Sequence, residues 1–246
     1  MKNLTVGVVV ADEQEYKPVQ DYLAARPHTL ENLHGYPVLV YKMERDGRAL
    51  TAKFCLCGIG KVNAAAATAH LLASGCDVIF NTGLSGGLGA DATARGGLVI
   101  GERYVEHDFD LTPLDYPRYV KPGGGSLRAN PQLFDLFRRL CPSAAVGTLA
   151  CGDSFVADAG KARSLADDLG AVACDMESAA CACACERANA PFLAIRQISD
   201  GADGDAVEAY TESNNRAEDT LLSLLLRGFD AILADADLFD ALAKQP

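Results

Sequence analysis

Four things are missing from this chain: a surplus of basic residues, cysteines at metal or disulfide spacing, a membrane-length apolar run and a complete phosphate-binding loop. Lysine and arginine number 22 against 33 aspartates and glutamates, giving a formal charge of -11 over 246 residues. A protein that neutralises phosphates needs a basic surface, so nucleic acid and anionic membranes are poor partners for it. The nine cysteines are an odd count, and Cys55/Cys57 and Cys181/Cys183/Cys185 sit two apart, which fits neither zinc pairs nor a disulfide framework. On a helix, residues two apart point to nearly opposite sides, so the three of CACAC cannot converge on a metal. They read as small buried hydrophobes in a reducing compartment. The first apolar run, in MKNLTVGVVVADEQE, is cut off by Asp12 and fits a buried strand better than a signal peptide. No later stretch is long and apolar enough to span a bilayer, and the expected location is the cytoplasm.

What is present is an apolar chain, 49% hydrophobic and 22% charged, with no break in composition, which predicts a single domain over residues 1–246. Short β-branched runs at 4–10, 37–43, 50–57, 77–82, 97–105, 145–150, 171–176 and 192–199 predict strands. Amphipathic or alanine-rich segments near 13–25, 62–74, 131–140, 159–169, 177–188 and 214–234 predict helices. The alternation implies an α/β fold, three layers with a central mixed twisted sheet flanked by helices. KPGGGS at 121–126 reads as a mobile loop, because strands and helices of the same sheet lie on both sides of it.

Ligands of such folds collect at the carboxyl ends of strands. Polar residues fall there repeatedly: Glu13 and Glu15 after the first strand, Asn81-Thr82-Gly83 after the fourth, Asp175 and Glu177 around the seventh, and Asp200 after the eighth. Each segment also has a plain structural explanation. QISDGAD at 197–203 can be a turn, DMES at 175–178 can place acids where a helix dipole favours them, and Glu15 can be a first-turn helix acid. GIGKVNAAAA at 58–67 has no Ser or Thr after Lys61 and no glycine four residues ahead of the GK pair, so it reads as a strand-to-helix turn. NTGLSGGLG at 81–89 exposes backbone at close approach to something.

Taken in order, GVVVADEQE (7–15), CGIGKVNAA (57–65), NTGLSGGL (81–88), CGDSFV (151–156), CDMESAA (174–180) and IRQISDGAD (195–203) resemble the signature segments of the nucleoside phosphorylase/nucleosidase superfamily. Within it they are most similar to the 5'-methylthioadenosine/S-adenosylhomocysteine nucleosidases. The resemblance implies hydrolysis of an N-glycosidic bond in a purine nucleoside, with no metal or organic cofactor and a homodimeric assembly. It implies that Asp200 is the acid protonating N7 of adenine, Glu15 the group that activates water, and Arg196 a neighbour of both the water and Glu15. Glu177 and Met176 would hold the ribose, Ser199 would orient Asp200, and Asp203 would be a loop or capping residue. Phe155 would pack on the purine, the backbone of Val156 would read its edge, and Ser85 and Gly86 of the glycine-rich loop would contribute to substrate binding. Leu111, Leu114 and Tyr116, in HDFDLTPLDY, fall where related dimers lend a wall to the neighbouring subunit's 5'-substituent pocket.

Phosphorylases of the superfamily hold phosphate with arginines near the first strand and just before the glycine-rich loop, as a dianion requires. VVADEQEYKPV has no arginine and the loop begins with Asn81, so water is the expected nucleophile. The alternatives are a phosphorylase drawing charge from Lys61 or Arg103, and a nucleoside-binding sensor without turnover. Three positions depart from the family pattern: Leu84 replaces a small residue, Asp12 a methionine, and Asp175 a glutamate.

Overall fold

Alternation of apolar strands with half-apolar helices gives a sheet covered on both faces. The computed structural model describes residues 2–89, 94–120, 126–216 and 220–243. In chain order these form β1 (Lys2–Val10), α1 (Glu13–Leu23), β2 (Thr29–Leu33), β3 (Tyr36–Arg45), β4 (Arg48–Leu56), α2 (Lys61–Ala73), β5 (Val78–Gly87), β6 (Leu98–Glu106), α3 (Pro131–Leu140), β7 (Ala145–Cys151), α4 (Ala159–Leu169), β8 (Ala171–Asp175), α5 (Ser178–Ala188), β9 (Phe192–Asp200), α6 (Ala206–Arg216), α7 (Thr220–Ala234) and α8 (Ala236–Leu242). All eight strands expected from the sequence are present. β2 was not expected, and the single helix expected over 214–234 is two helices, α6 starting already at Ala206. Asn81, Thr82 and Gly83 lie inside β5, not after it. Of the loop expected at 121–126, residues 121–125 lie outside the described residues.

The mixed sheet runs β2-β3-β4-β1-β5-β8-β7-β6-β9, and β9 also pairs with β5. Strands β5, β8, β7, β6 and β9 therefore hydrogen-bond in a closed ring, with β1 to β4 extending from β5. The parallel pairs β1–β4, β1–β5 and β5–β9 lie in the covered middle of the sheet, so β1, β5 and β9 carry consecutive apolar residues such as VGVVV, VIF and FLAI; in β9 all nine residues are buried. On one face the core is built from β1, β4, α1, α3, α7 and α8, including Phe80, Phe137 and Phe229. Gly228 is where α7 lies against α3: a Cβ there would meet Phe137 at 2.1 Å. On the other face α2 and α5 pack through alanines and cysteines, and their small side chains let the helices approach closely. Cys181 and Cys185 of α5 are buried, Cys183 is half-buried, and all nine cysteines are free thiols. Among the described residues no group of His, Cys, Asp and Glu could hold a metal ion, and no helix is long and apolar enough to cross a membrane.

Candidate active site

The ring closure brings together strand ends that are far apart in sequence. β5 and β9 run in parallel, Gly83 opposite Arg196, until a bulge between Ser85 and Gly86 places Gly86 opposite Asp200. The same Gly86 pairs with Cys174 of β8, one residue before Asp175. Its missing side chain is needed, since a Cβ would sit 3.0 Å from Cys174 Sγ and 3.1 Å from an Asp200 carboxylate oxygen. β8 ends at Asp175, whose Oδ1 accepts the N–H groups of Glu177 and Ser178 at 3.0 and 2.9 Å, starting α5 and fixing Glu177 beside it. β1 ends before Asp12, which caps α1 by accepting the Gln14 N–H while Glu15 reaches back to the Asp12 N–H, a capping box.

These ends line a cavity of about 310 Å³ bordered by Asp12, Glu15, Asp175, Glu177 and Asp200. It contains five carboxylates and, among the described residues, no lysine or arginine on its wall. Just behind lies Arg196, 1% exposed, with Nε 3.3 Å from Asp175 Oδ2 and Nη2 3.4 Å from Glu177 Oε2. Arg196 also donates to Asn81 Oδ1, and Asn81 in turn donates to the Val9 carbonyl, which ties the guanidinium to the middle of the sheet. Burial opposes the Arg196 charge, but Asp175, Glu177 and Glu15 outweigh it and raise its pKa above the ordinary arginine value.

Glu15 lies against Gly83, where an added Cβ would be 2.8 and 2.9 Å from its two carboxylate oxygens and 2.8 Å from Arg196 Nη1. Its Oε1 accepts the Leu84 N–H at 2.7 Å. Burial, then the charge of Glu177, push the Glu15 carboxyl up to about 7, against the pull of the Leu84 N–H and Arg196. Glu177 is raised as well, first by burial, with Arg196 opposing; its Oε1 accepts the Gly60 N–H at 3.0 Å. Gly60 has a φ of 100°, which glycine adopts without strain, so the GIG turn does carry a backbone donor to the site.

At the other end, Asp200 accepts from Ser199 Oγ at 2.7 Å and from the Ala202 N–H at 2.9 Å. Burial raises its pKa and these two donors hold it back. Asp203 accepts the Asp205 N–H at 3.1 Å in the turn before α6. The cavity wall also includes Ser85, Gly86, Phe155, Val156, Met176 and Ser199. Phe155 is 44% exposed, so it is no core phenylalanine; its ring meets Tyr210 of α6 edge-on at 5.5 Å. Leu84 borders this cavity and a second one of about 310 Å³, with which the first shares only Glu15 and Leu84.

Leu111, Leu114 and Tyr116 are not on this wall; Leu114 and Tyr116 are 66% and 42% exposed. Lys61 and Arg103 are absent from it too. Lys61 Nζ is bound to Asp108 at 2.6 Å, and Arg103 donates to the Leu169 carbonyl at 2.7 Å. Sequence reasoning placed Asn81 at a strand end and Ile59 in a signature segment without giving either a role, and it did not reach Tyr210, a helix tyrosine with no motif around it; Asn81 enters the site through its bond to Arg196.

A closed α/β sheet with opposed carboxylates at its strand ends defines a class, and the profile of the phosphorylase superfamily matches residues 5–229. The chain belongs to that superfamily. Among its curated relatives, a 5'-methylthioadenosine/S-adenosylhomocysteine nucleosidase of Haemophilus influenzae (strain 86-028NP) is 31% identical over 222 residues, 85% of this chain and 91% of the relative. A solved structure of the nucleosidase of that name from Neisseria meningitidis, in complex with methylthio-immucillin-A, is 28% identical with a TM-score of 0.78, covering 90% of this chain and 98% of the other. The futalosine hydrolase of Helicobacter pylori shares the fold at a TM-score of 0.83 and 23% identity, over 93% of this chain and 98% of its own.

Proposed function

We propose that this chain, acting as one domain, hydrolyses the N-glycosidic bond of 5'-methylthioadenosine, S-adenosylhomocysteine or a related 5'-substituted adenine nucleoside, and releases adenine. The observation that carries this reading is that Asp200 and Glu15 line one cavity from different strand ends, with Glu177 on the same wall and, among the described residues, no lysine or arginine on it.

The purine enters beside Phe155 and Val156, with N7 toward Asp200. Asp200 gives its proton to N7 as the C1'–N9 bond breaks and the bonding electrons leave with the base. The sugar becomes oxocarbenium-like, held through its hydroxyls by Glu177 against Met176. Water attacks C1' from the opposite face and gives a proton to Glu15. Arg196 keeps Glu15 and Glu177 apart and in register, because each carboxylate faces its positive charge. A wall without lysine or arginine disfavours phosphate as the nucleophile, and Lys61 and Arg103 are both engaged elsewhere.

The same reading makes the protein a homodimer, in which Leu111, Leu114 and Tyr116 of one subunit close the other's pocket. A monomeric mass by light scattering at micromolar concentration would rule that out. The reaction itself is tested by incubating 5'-methylthioadenosine, S-adenosylhomocysteine, adenosine and inosine with and without phosphate. Free adenine and free sugar formed equally well without phosphate are expected; a sugar 1-phosphate formed only with phosphate would make the protein a phosphorylase.

A further inference from the structure

We propose that Asp12 selects among substrates by the charge of the 5'-substituent, favouring a cationic group such as an ammonium and disfavouring an anionic one. The proposal rests on the nucleosidase reading and names its substrate class more closely.

The cavity has a direction. Gly86, Cys174 and Asp200 meet at one end, where the base is held. Glu15 and Glu177 flank Arg196 in the middle, where the sugar is held. Of the remaining wall, Ile59 precedes the Gly60 whose N–H binds Glu177, and Asp12 begins the turn of helix that carries Glu15, with its own N–H 3.4 Å from Glu15 Oε2. Asp12 and Ile59 therefore lie on the Glu15–Glu177 side of the cavity, away from Asp200, with Tyr210 reaching from there toward Phe155, and on the nucleosidase reading the group on C5' extends toward Asp12.

That end is acidic and uncompensated. Asp12 Oδ1 accepts from the Gln14 N–H at 2.8 Å and from Asn214 Nδ2 at 3.2 Å, neutral donors that fix the carboxylate without cancelling its charge. Among the described residues it has no ion pair. Arg196 faces Asp175 and Glu177, and Lys61, the cation closest in sequence to Ile59, is bound to Asp108. The Tyr210 hydroxyl lies in the same field: after burial, the charges of Glu15, Asp12, Glu177 and Asp200 raise its pKa. A half-buried carboxylate in a concave site exerts more force on a nearby charge than a surface pair does.

The test uses three 5'-thioether adenosines that differ at the end of the chain: 2-aminoethylthio, propylthio and carboxymethylthio. Their kcat/KM values are measured for the wild type, Asp12→Asn and Asp12→Ser in about 0.05 M salt, where screening is weak. Asn and Ser both cap helices well, so α1 keeps its start. The wild type should prefer the amine over the acid by about tenfold or more, and both variants should bring that ratio to within about twofold of one. The neutral propylthio nucleoside is the reference to which both charged compounds are normalised, so that any loss transmitted through Glu15 cancels from the ratio. A wild-type ratio near one, or a ratio that survives both substitutions, overturns the proposal. If not even the propylthio nucleoside is cleaved, the nucleosidase reading has failed instead, and the dissociation constants of the three compounds, by equilibrium dialysis, decide the charge preference on the same ratios.

Discussion

The two ends of the cavity hold their carboxylic acids by different means. Asp200 is raised by burial and then by the charge of Asp203, and restrained first by neutral donors, the Ser199 hydroxyl and the Ala202 N–H, and last by the charge of Arg95. Glu15 is raised by burial and by its neighbour Glu177, and restrained by an N–H and by a full positive charge, Arg196. That balance leaves Glu15 near 7, the wrong side for a base in mildly acidic water, while Asp200 has, beyond burial, only the charge of Asp203 to favour its protonated form. On the proposed mechanism, substrate would change both in the required direction: a purine covering Asp200 would remove its remaining water and offer N7 as an acceptor for its proton, whereas positive charge developing on the sugar would favour ionised Glu15. The comparison teaches that, on the proposed mechanism, acid and base would be assigned by the substrate as much as by the protein.

The largest effect should come from removing either acid. Asp200→Asn and Glu15→Gln are each expected to lower kcat by about 100-fold or more. A riboside whose leaving group departs without a proton, such as a p-nitrophenyl riboside, separates the two roles. Asp200→Asn should hydrolyse it at close to the wild-type rate, and Glu15→Gln should not. Equal losses with this compound would mean that the two ends do not divide acid from base.

Next is the pH response of Glu15. The kcat/KM of the free enzyme should fall as pH drops through about 7, and the corresponding limb of kcat should lie lower, because the bound sugar favours the ionised form. Coincident limbs would show that substrate does not shift the balance. Stability follows with the opposite sense. The folded protein keeps the Glu15 proton up to about 7, whereas its ordinary value is 4.5, so folding is progressively disfavoured as pH rises between those values. Glu15→Gln should thus raise Tm relative to wild type at pH 8 and give no such gain at pH 4. These scans need no substrate.

Gly83→Ala tests the middle of the site, with an expected loss of about 10- to 100-fold in kcat. The new Cβ would stand under 3 Å from both Glu15 oxygens and from Arg196 Nη1, so the pair must separate. Asp200 is untouched, and the p-nitrophenyl substrate should lose as much as the adenine nucleosides do.

How much of this was legible before the structure depends on the kind of signal. The buried parallel strands were readable because burial on both faces writes a run of consecutive apolar residues, as in FLAI at the start of β9. β2 was not, because TLENL is an exposed edge paired only with β3 and has no alternation. α6 was missed because AVEAYTESNNR has only a weak apolar stripe, and with it Tyr210. Asp200, Glu15 and Glu177 stand in ordered motifs, so the resemblance could point to them. That Asn81 holds Arg196 depends on the parallel register of β5 and β9, which no single segment records. The ring closure was likewise unreadable, since it rests on a second pairing of β5.

The smallest expected effect belongs to Ser199. Its Oγ is 2.7 Å from Asp200 Oδ2 and 3.3 Å from the Ser85 carbonyl, so it donates to the ionised carboxylate and holds it at the cavity wall without touching the base. Ser199→Ala removes a donor that favours the charged form, so the Asp200 pKa should rise. A higher pKa makes the proton more available near neutrality, while a loosened carboxylate delivers it less often. These opposing effects should leave kcat lowered by only about two- to fivefold, with the alkaline limb of the pH profile displaced upward. Loss of rate without displacement would reduce Ser199 to packing at the end of β9. Displacement of the acid limb instead would mean that the two ends of the cavity titrate together, and that the contrast between Asp200 and Glu15 is a property of one coupled pair.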